Sequence, residues 1–256
     1  MNTIVVVHGI GGGSTADTKN YSAALKKNVL KKPEDQSQWI EAPWEGVNDT
    51  LDANFKRLIK DAWPRCEIGK RFENPKTLKG TVLNNVCKGL RYLCNRTPDI
   101  LAKIIDYLLD LPLYIGEKRG HAIRDIVLSH IRNKENVILV GHSLGSLICY
   151  DILCEYKSKN EELPVKALVT LGSPIEWVKG VDEKQFTPIQ PIPLEINWVN
   201  MFYENDPVCR GKGLAPSRFS DVENIPLSGK KYGFKAHTAY WNDQAVADEI
   251  RKLAYD

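Results

Sequence analysis

Apolar residues along this chain alternate between short unbroken runs and longer spaced patterns. Thr3 to Val7, Glu135 to Val140, Val165 to Leu171 and Glu195 to Phe202 are rich in valine, isoleucine, leucine and aromatic residues. They lack the strict apolar–polar alternation of a strand with one wet face, so they predict strands buried on both sides. Trp39 to Ala42 predicts a shorter strand running into Pro43-Trp44. Tyr21 to Lys31, Leu147 to Tyr156 and Asp243 to Tyr255 repeat their apolar positions at helical spacing and predict helices. Strands alternating with helices predict an α/β chain with a mostly parallel central sheet and helices on both faces.

The stretch from Asn48 to Asn133 breaks this rhythm, being helical in pattern and poor in strands. It predicts a helical insertion or cap, residues 48–133, within a single domain spanning residues 1–256. Inside it, Asp99, Lys103, Asp106 and Asp110 fall on one helical face, and Ile100, Leu101, Ile104, Ile105, Leu108 and Leu109 fall on the other. Thr97 suits the cap and Pro98 the first turn. The favoured reading is a helix packed on the sheet edge, and the alternative is a lid or lipid-facing surface.

Composition narrows the class. Apolar residues make up 43% of the chain and charged ones 26%, an ordinary globule with a core. Thirty-five Lys and Arg against 32 Asp and Glu leave a net charge of +3, too little to argue for nucleic acid. Lys56 to Arg96 is locally basic, read as a solvated face ahead of a contact with an acidic membrane surface. No run reaches the roughly 18 apolar residues that span a bilayer, and Ile4 to Val7 is too short for a secretion signal. The expectation is a cytoplasmic protein. Six cysteines show no C-x-x-C spacing, which argues against zinc and for free thiols.

Chemistry concentrates in two turns. Val137 to Val140 ends in Gly141-His142-Ser143-Leu144-Gly145, a G-x-S-x-G pattern followed at once by a helix. Strand, sharp turn and helix in that order lift the serine hydroxyl clear of the backbone, with the next amide aimed at the same point. The flanking glycines are needed because a Cβ would crowd the neighbouring strand and helix. The first strand likewise ends in His8-Gly9-Ile10-Gly11-Gly12-Gly13. A dinucleotide G-x-G-x-x-G fails on spacing, since Ser14 stands where glycine is required, and no phosphate-binding G-x-x-x-x-G-K-[ST] loop exists. Close backbone approach to a reacting carbonyl is the better use of these glycines. The amide of Ile10 or Gly11 would then join that of Leu144 in an oxyanion hole.

With these motifs the chain resembles the α/β-hydrolase superfamily, specifically lipase- and esterase-like intracellular serine hydrolases. The resemblance implies a fold reduced at its N-terminus, because the chain opens on the strand that carries the oxyanion turn, and a sheet of fewer than the usual eight strands. It also implies a chain order of serine, acid, histidine. His8 and His142 lie within the two motifs, and His121 and His130 precede the serine. Only His237, before the last helix, follows it. Asp206 in Asn205-Asp206-Pro207-Val208, just past a strand, is the acid of choice. Glu204 is its nearest rival, with Asp221 and Glu223 behind.

The implied activity is hydrolysis of small-molecule or lipid carboxylic esters through Ser143, His237 and Asp206, an acyl-enzyme intermediate and no cofactor or metal. It should fall at low pH as the histidine protonates. A thioesterase or acyltransferase with the same triad, and a non-catalytic hydrolase-fold interaction module, are the alternatives. No protein partner is legible. Trp44, Trp177, Trp198 and Trp241 are candidates for an apolar cleft or for the core, and Gly180 to Pro193 for part of the substrate-determining region.

Overall fold

The computed structural model describes residues 1–9, 21–31, 35–44, 114, 117–178, 196–219, 221–229 and 231–255. The proposed helix at Thr97 to Ile115 (Tyr114 apart), the basic stretch Lys56 to Arg96 and the segment Gly180 to Pro193 lie outside them, as does most of the 48–133 insertion.

Among the described residues six strands form one sheet: β1 (Thr3–Val7), β2 (Gln38–Glu41), β3 (Val137–His142), β4 (Val165–Leu171), β5 (Asn197–Tyr203) and β6 (Val222–Leu227). Their order is β2-β1-β3-β4-β5-β6, and every neighbouring pair is parallel. Because all strands run the same way, all their carboxyl ends lie along one edge, where open α/β sheets bind ligands.

The unbroken apolar runs are explained by what covers each face. Ile4, Val6, Ile138, Val140, Val169, Val199 and Met201 point to one side. There they pack with Leu25 and Val29 of α1 (Ala23–Val29) and with Val246, Ala247 and Ile250 of the C-terminal helix Gln244–Tyr255. The alternate residues face α3 (Leu144–Ser158), whose first eleven residues are all buried. On that side Tyr150 of α3 stacks on Trp198 of β5 with ring centroids 4.9 Å apart.

Helix α2 (Glu117–Ser129) is joined to α3 by charge as well as apolar packing. Arg124 Nη1 meets Asp151 Oδ2 at 2.6 Å, and Tyr114 donates to the same oxygen at 2.7 Å. Arg124 Nε also lies 3.0 Å from Glu155. Burial raises the Asp151 carboxyl, and the adjacent guanidinium opposes that rise.

Strand boundaries moved where backbone geometry ruled. The elbow strand starts at Val137, not Glu135, after Asn136 at φ 48°, and runs on to His142. Helix α3 begins directly at Leu144 rather than Leu147. Strand β6 has no counterpart in the sequence reading. Val-Glu-Asn-Ile-Pro-Leu carries polar residues and a proline, which only an edge strand accommodates. A polar ladder ties it in. Trp198 Nε1 donates to Thr170 Oγ1 (3.2 Å), Thr170 Oγ1 to Asn200 Oδ1 (2.9 Å), and Asn200 Nδ2 to Asn224 Oδ1 (2.9 Å). Thr170, Asn200 and Asn224 sit in register across β4, β5 and β6, so a slip of the strand would orphan buried polar groups.

Candidate active site

Ser143 stands between β3 and α3 at φ 54°, ψ −128°, a conformation a side-chain-bearing residue adopts only when its surroundings hold it. Three contacts do so. Its N–H donates to Leu171 O at 2.9 Å, and its carbonyl accepts from Ser146 N (3.0 Å) and Ser146 Oγ (2.5 Å). A serine at a helix N-cap ordinarily turns its oxygen back onto the first-turn amides; Ser143 makes no such bond. The hydroxyl therefore remains available, and the Leu144 amide heads a fifteen-residue helix whose first N–H groups have no intrahelical acceptor.

Gly9, Gly141 and Gly145 are required by contact. A Cβ on Gly145 would lie 2.2 Å from Val7 O, and one on Gly141 2.6 Å from Ser146 Cα. On Gly9 it would lie 2.5 Å from Ser143 Cβ, so the end of β1 runs against the serine itself. His8 is buried beside it, stacked on Trp44 at 5.3 Å, and Trp44 Nε1 donates to His8 O at 2.9 Å. Ile10 and Gly11, the expected oxyanion partners of Leu144, lie outside the described residues.

Asp206 and His237 meet in the interior, 1% and 0% exposed. His237 Nδ1 lies 2.9 Å from Asp206 Oδ2 and 3.1 Å from Oδ1. Tyr240 Oη donates to Oδ2 at 2.7 Å, and the Val208 amide donates to Oδ1 at 2.8 Å. Burial alone would raise the Asp206 carboxyl, but the His237 ring, Tyr240 and Val208 outweigh it and hold it below its ordinary value. The carboxylate is therefore ionised and can only accept. The contact therefore requires a proton on Nδ1 of His237.

The rival acids are elsewhere. Glu204 is exposed, and Asp221 and Glu223 sit at the amino-terminal end of β6, on the opposite edge of the sheet. His237 ends a short helix, Phe234–His237, which is followed by a 3-10 turn, Ala239–Asn242.

His142 links the two halves. Its Nε2 donates to His237 O at 2.7 Å, and the two rings lie 4.7 Å apart. Burial, then the neighbouring His237, push His142 down to about 3, so it stays neutral. This bond fixes the residue next to Ser143 against the His237 carbonyl. Gly172, at φ 55°, completes the junction. A Cβ there would meet Asp206 Oδ2 at 2.6 Å, Tyr240 Cε2 at 2.8 Å and His237 Nδ1 at 3.1 Å.

Sequence reasoning missed Tyr240 and Gly172, and it gave the His142 ring no task. The Gly172-Ser173-Pro174 strand end was the available signal for Gly172. Nothing local marks Tyr240. Of the tryptophans, Trp198 is core, Trp44 is buried on His8, and Trp241 packs edge-on to His142 at 4.8 Å. Among the described residues no group of three or more His, Cys, Asp or Glu side chains is placed to hold a metal.

A parallel sheet covered by helices, with a strained serine at a glycine-flanked strand-to-helix turn, decides the architecture. The chain has the α/β-hydrolase fold. No family model matches it. It is 28% identical over 284 aligned positions to a protein of Saccharomyces cerevisiae named a probable mitochondrial phospholipase, an alignment covering 97% of this chain. The chain spans 39% of that relative's length. Among solved structures it is similar to the RedJ thioesterase of prodiginine biosynthesis from Streptomyces coelicolor, at 12% identity and TM-score 0.48, over 98% of this chain and 85% of that one. A lipase-esterase related protein from Clostridium acetobutylicum aligns at 10% identity and TM-score 0.43, over 98% and 94%. No helix among the described residues is long and apolar enough to cross a membrane.

Proposed function

We propose that the chain is a serine hydrolase of carboxylic esters, with Ser143 as nucleophile, His237 as general base and Asp206 as the residue that orients the imidazole. The observation that carries this reading is the buried Asp206–His237 pair, joined through His142 to a strained serine whose hydroxyl is not spent on capping its helix. In the mechanism, Nε2 of His237 takes the Ser143 proton as Oγ attacks the ester carbonyl. The Leu144 amide and that of Ile10 or Gly11 receive the oxyanion. His237 then protonates the leaving alcohol, and water, activated by the same nitrogen, releases the acid. Asp206 stabilises the imidazolium without taking its proton.

A lipid ester is the substrate class we favour, supported by the name of the yeast relative. Cys149, Cys154 and Cys209 are buried and free, which suits a reducing compartment.

The test is hydrolysis of nitrophenyl esters with acyl chains from short to long, and of phosphatidylcholine vesicles, by the wild type and Ser143→Ala in parallel. The reading expects turnover, an acid limb in the pH–rate profile and fluorophosphonate labelling of the wild type, all of the activity being lost in the variant. Turnover that survives Ser143→Ala, or a wild type inert to every ester and to the fluorophosphonate, would overturn it.

A further inference from the structure

We infer that Tyr240 is a positioning residue that sets the basicity of His237 by sharing the Asp206 carboxylate with it. This rests on the triad reading above. The hydroxyl of Tyr240 has two close N/O partners of opposite character, with the buried Cys209 thiol beside it and Asp206. The Tyr203 amide, 3.1 Å away, can only donate to it. Its own proton is therefore directed at Asp206 Oδ2, 2.7 Å away, the same oxygen that accepts from His237 Nδ1 at 2.9 Å. Tyr240 is completely buried, as is His237, so water does not dilute the competition.

The tyrosine is locked as well as oriented. Its ring lies 5.0 Å from that of Tyr203, whose own hydroxyl donates to Asp243 and accepts from Lys231 Nζ at 2.8 Å. Lys231 precedes the His237 helix and Asp243 follows the 3-10 turn, so both ends of the loop bearing His237 and Tyr240 are tied to one β5 residue. Burial and the Asp206 charge push the Tyr240 phenol far above its ordinary range, so it remains a donor at every working pH.

The consequence has a definite sign. A donor on Oδ2 withdraws charge from the carboxylate and lessens its hold on the imidazolium. Removing the donor favours protonated His237 and moves its titration upward; a more acidic phenol moves it downward. A tyrosine that merely filled space would do neither.

The experiment follows His237 directly by NMR of histidine-labelled protein through a pH titration, in the wild type, in Tyr240→Phe and with 3,5-difluorotyrosine incorporated at position 240. The fluorinated residue keeps the shape and the contact to the Tyr203 amide, so it decides the matter even where Tyr240→Phe folds poorly. The expected result is a midpoint raised by roughly half to one pH unit in the phenylalanine variant and lowered with difluorotyrosine. Both shifts should disappear in an Asp206→Asn background. The acid limb of Ser143-dependent ester hydrolysis should move with the His237 midpoint, in the same direction in each variant, with KM little changed. A midpoint that stays put with difluorotyrosine, or shifts that persist in Asp206→Asn, would overturn the role of Tyr240. Absence of Ser143-dependent turnover in the wild type refutes the ester-hydrolase reading instead, and leaves the titration to judge the tyrosine.

Discussion

Replacing Gly172 by alanine places one methyl group among the three side chains that build the acid–base pair. Its Cβ would stand 2.6 Å from Asp206 Oδ2, 2.8 Å from Tyr240 Cε2 and 3.1 Å from His237 Nδ1. Comfortable contact is about 3.5 Å or more, so the neighbours must retreat by about 0.9, 0.7 and 0.4 Å. None has free space, since all three side chains are buried and hydrogen-bonded to one another. The backbone objects too, because φ is 55° and a Cβ there costs about 1–2 kcal/mol. Overpacking adds about 1–3 kcal/mol. The sum, about 2–5 kcal/mol, corresponds to a melting temperature lower by about 5–15 °C in a chain of this size.

Activity should suffer more than stability. Catalytic groups tolerate about 0.5 Å of displacement, and about 1 Å costs on the order of 100-fold. The expected result is therefore a folded Gly172→Ala protein with kcat/KM for a nitrophenyl ester down on the order of 100-fold. Gly229→Ala is the control. Gly229 also has positive φ, at 144°, but its added Cβ would meet only Tyr203 Cε1, at 3.9 Å. It carries backbone strain without touching the site and should keep its rate. Thermal melts and ester kinetics on the two variants separate the effects. Near wild-type kcat/KM in Gly172→Ala, alongside the expected loss in melting temperature, would show that Asp206 and His237 do not do the chemistry.

Asp206→Asn should lower kcat by on the order of 10⁴ by favouring the wrong imidazole tautomer, whereas Glu204→Gln, at an exposed position, should leave ester kinetics unchanged. His142 makes stability depend on pH. Its folded-state value near 3 lies below the ordinary 6.5, so between them the unfolded chain binds the extra proton. The contribution is complete above about pH 6.5 and is lost toward pH 3 at up to about 1.4 kcal/mol per unit. Urea titrations should give His142→Gln a flatter stability curve over that window; an unchanged slope would contradict the burial argument. Arg124→Met leaves Asp151 buried with only Tyr114 and should cost about 3–5 kcal/mol in the same assay, with much of it recovered in Arg124→Met/Asp151→Leu.

Much of this architecture was legible in the sequence because the decisive signals are local. A strand buried on both faces must be apolar throughout, so β1, β3, β4 and β5 announce themselves as runs. A sharp strand-to-helix turn leaves room for glycine alone at Gly141 and Gly145, so the serine between them is marked by its neighbours. Chain order and a single downstream histidine then pointed to His237, and a polar residue just beyond a strand pointed to Asp206. Tertiary structure alone decided what depends on elements far apart in the chain. Strand β6 exists because Asn200 and Asn224 meet across the sheet, and no local periodicity encodes that partner. Asp206 rather than Glu204 faces His237 because one side chain turns inward at the strand end and the other turns out. Gly172 and Tyr240 belong to the site only because β4, β5 and the C-terminal loop converge at the carboxyl edge of a parallel sheet. Short-range sterics write themselves into sequence spacing, whereas hydrogen bonds between distant strands leave only ordinary residues behind.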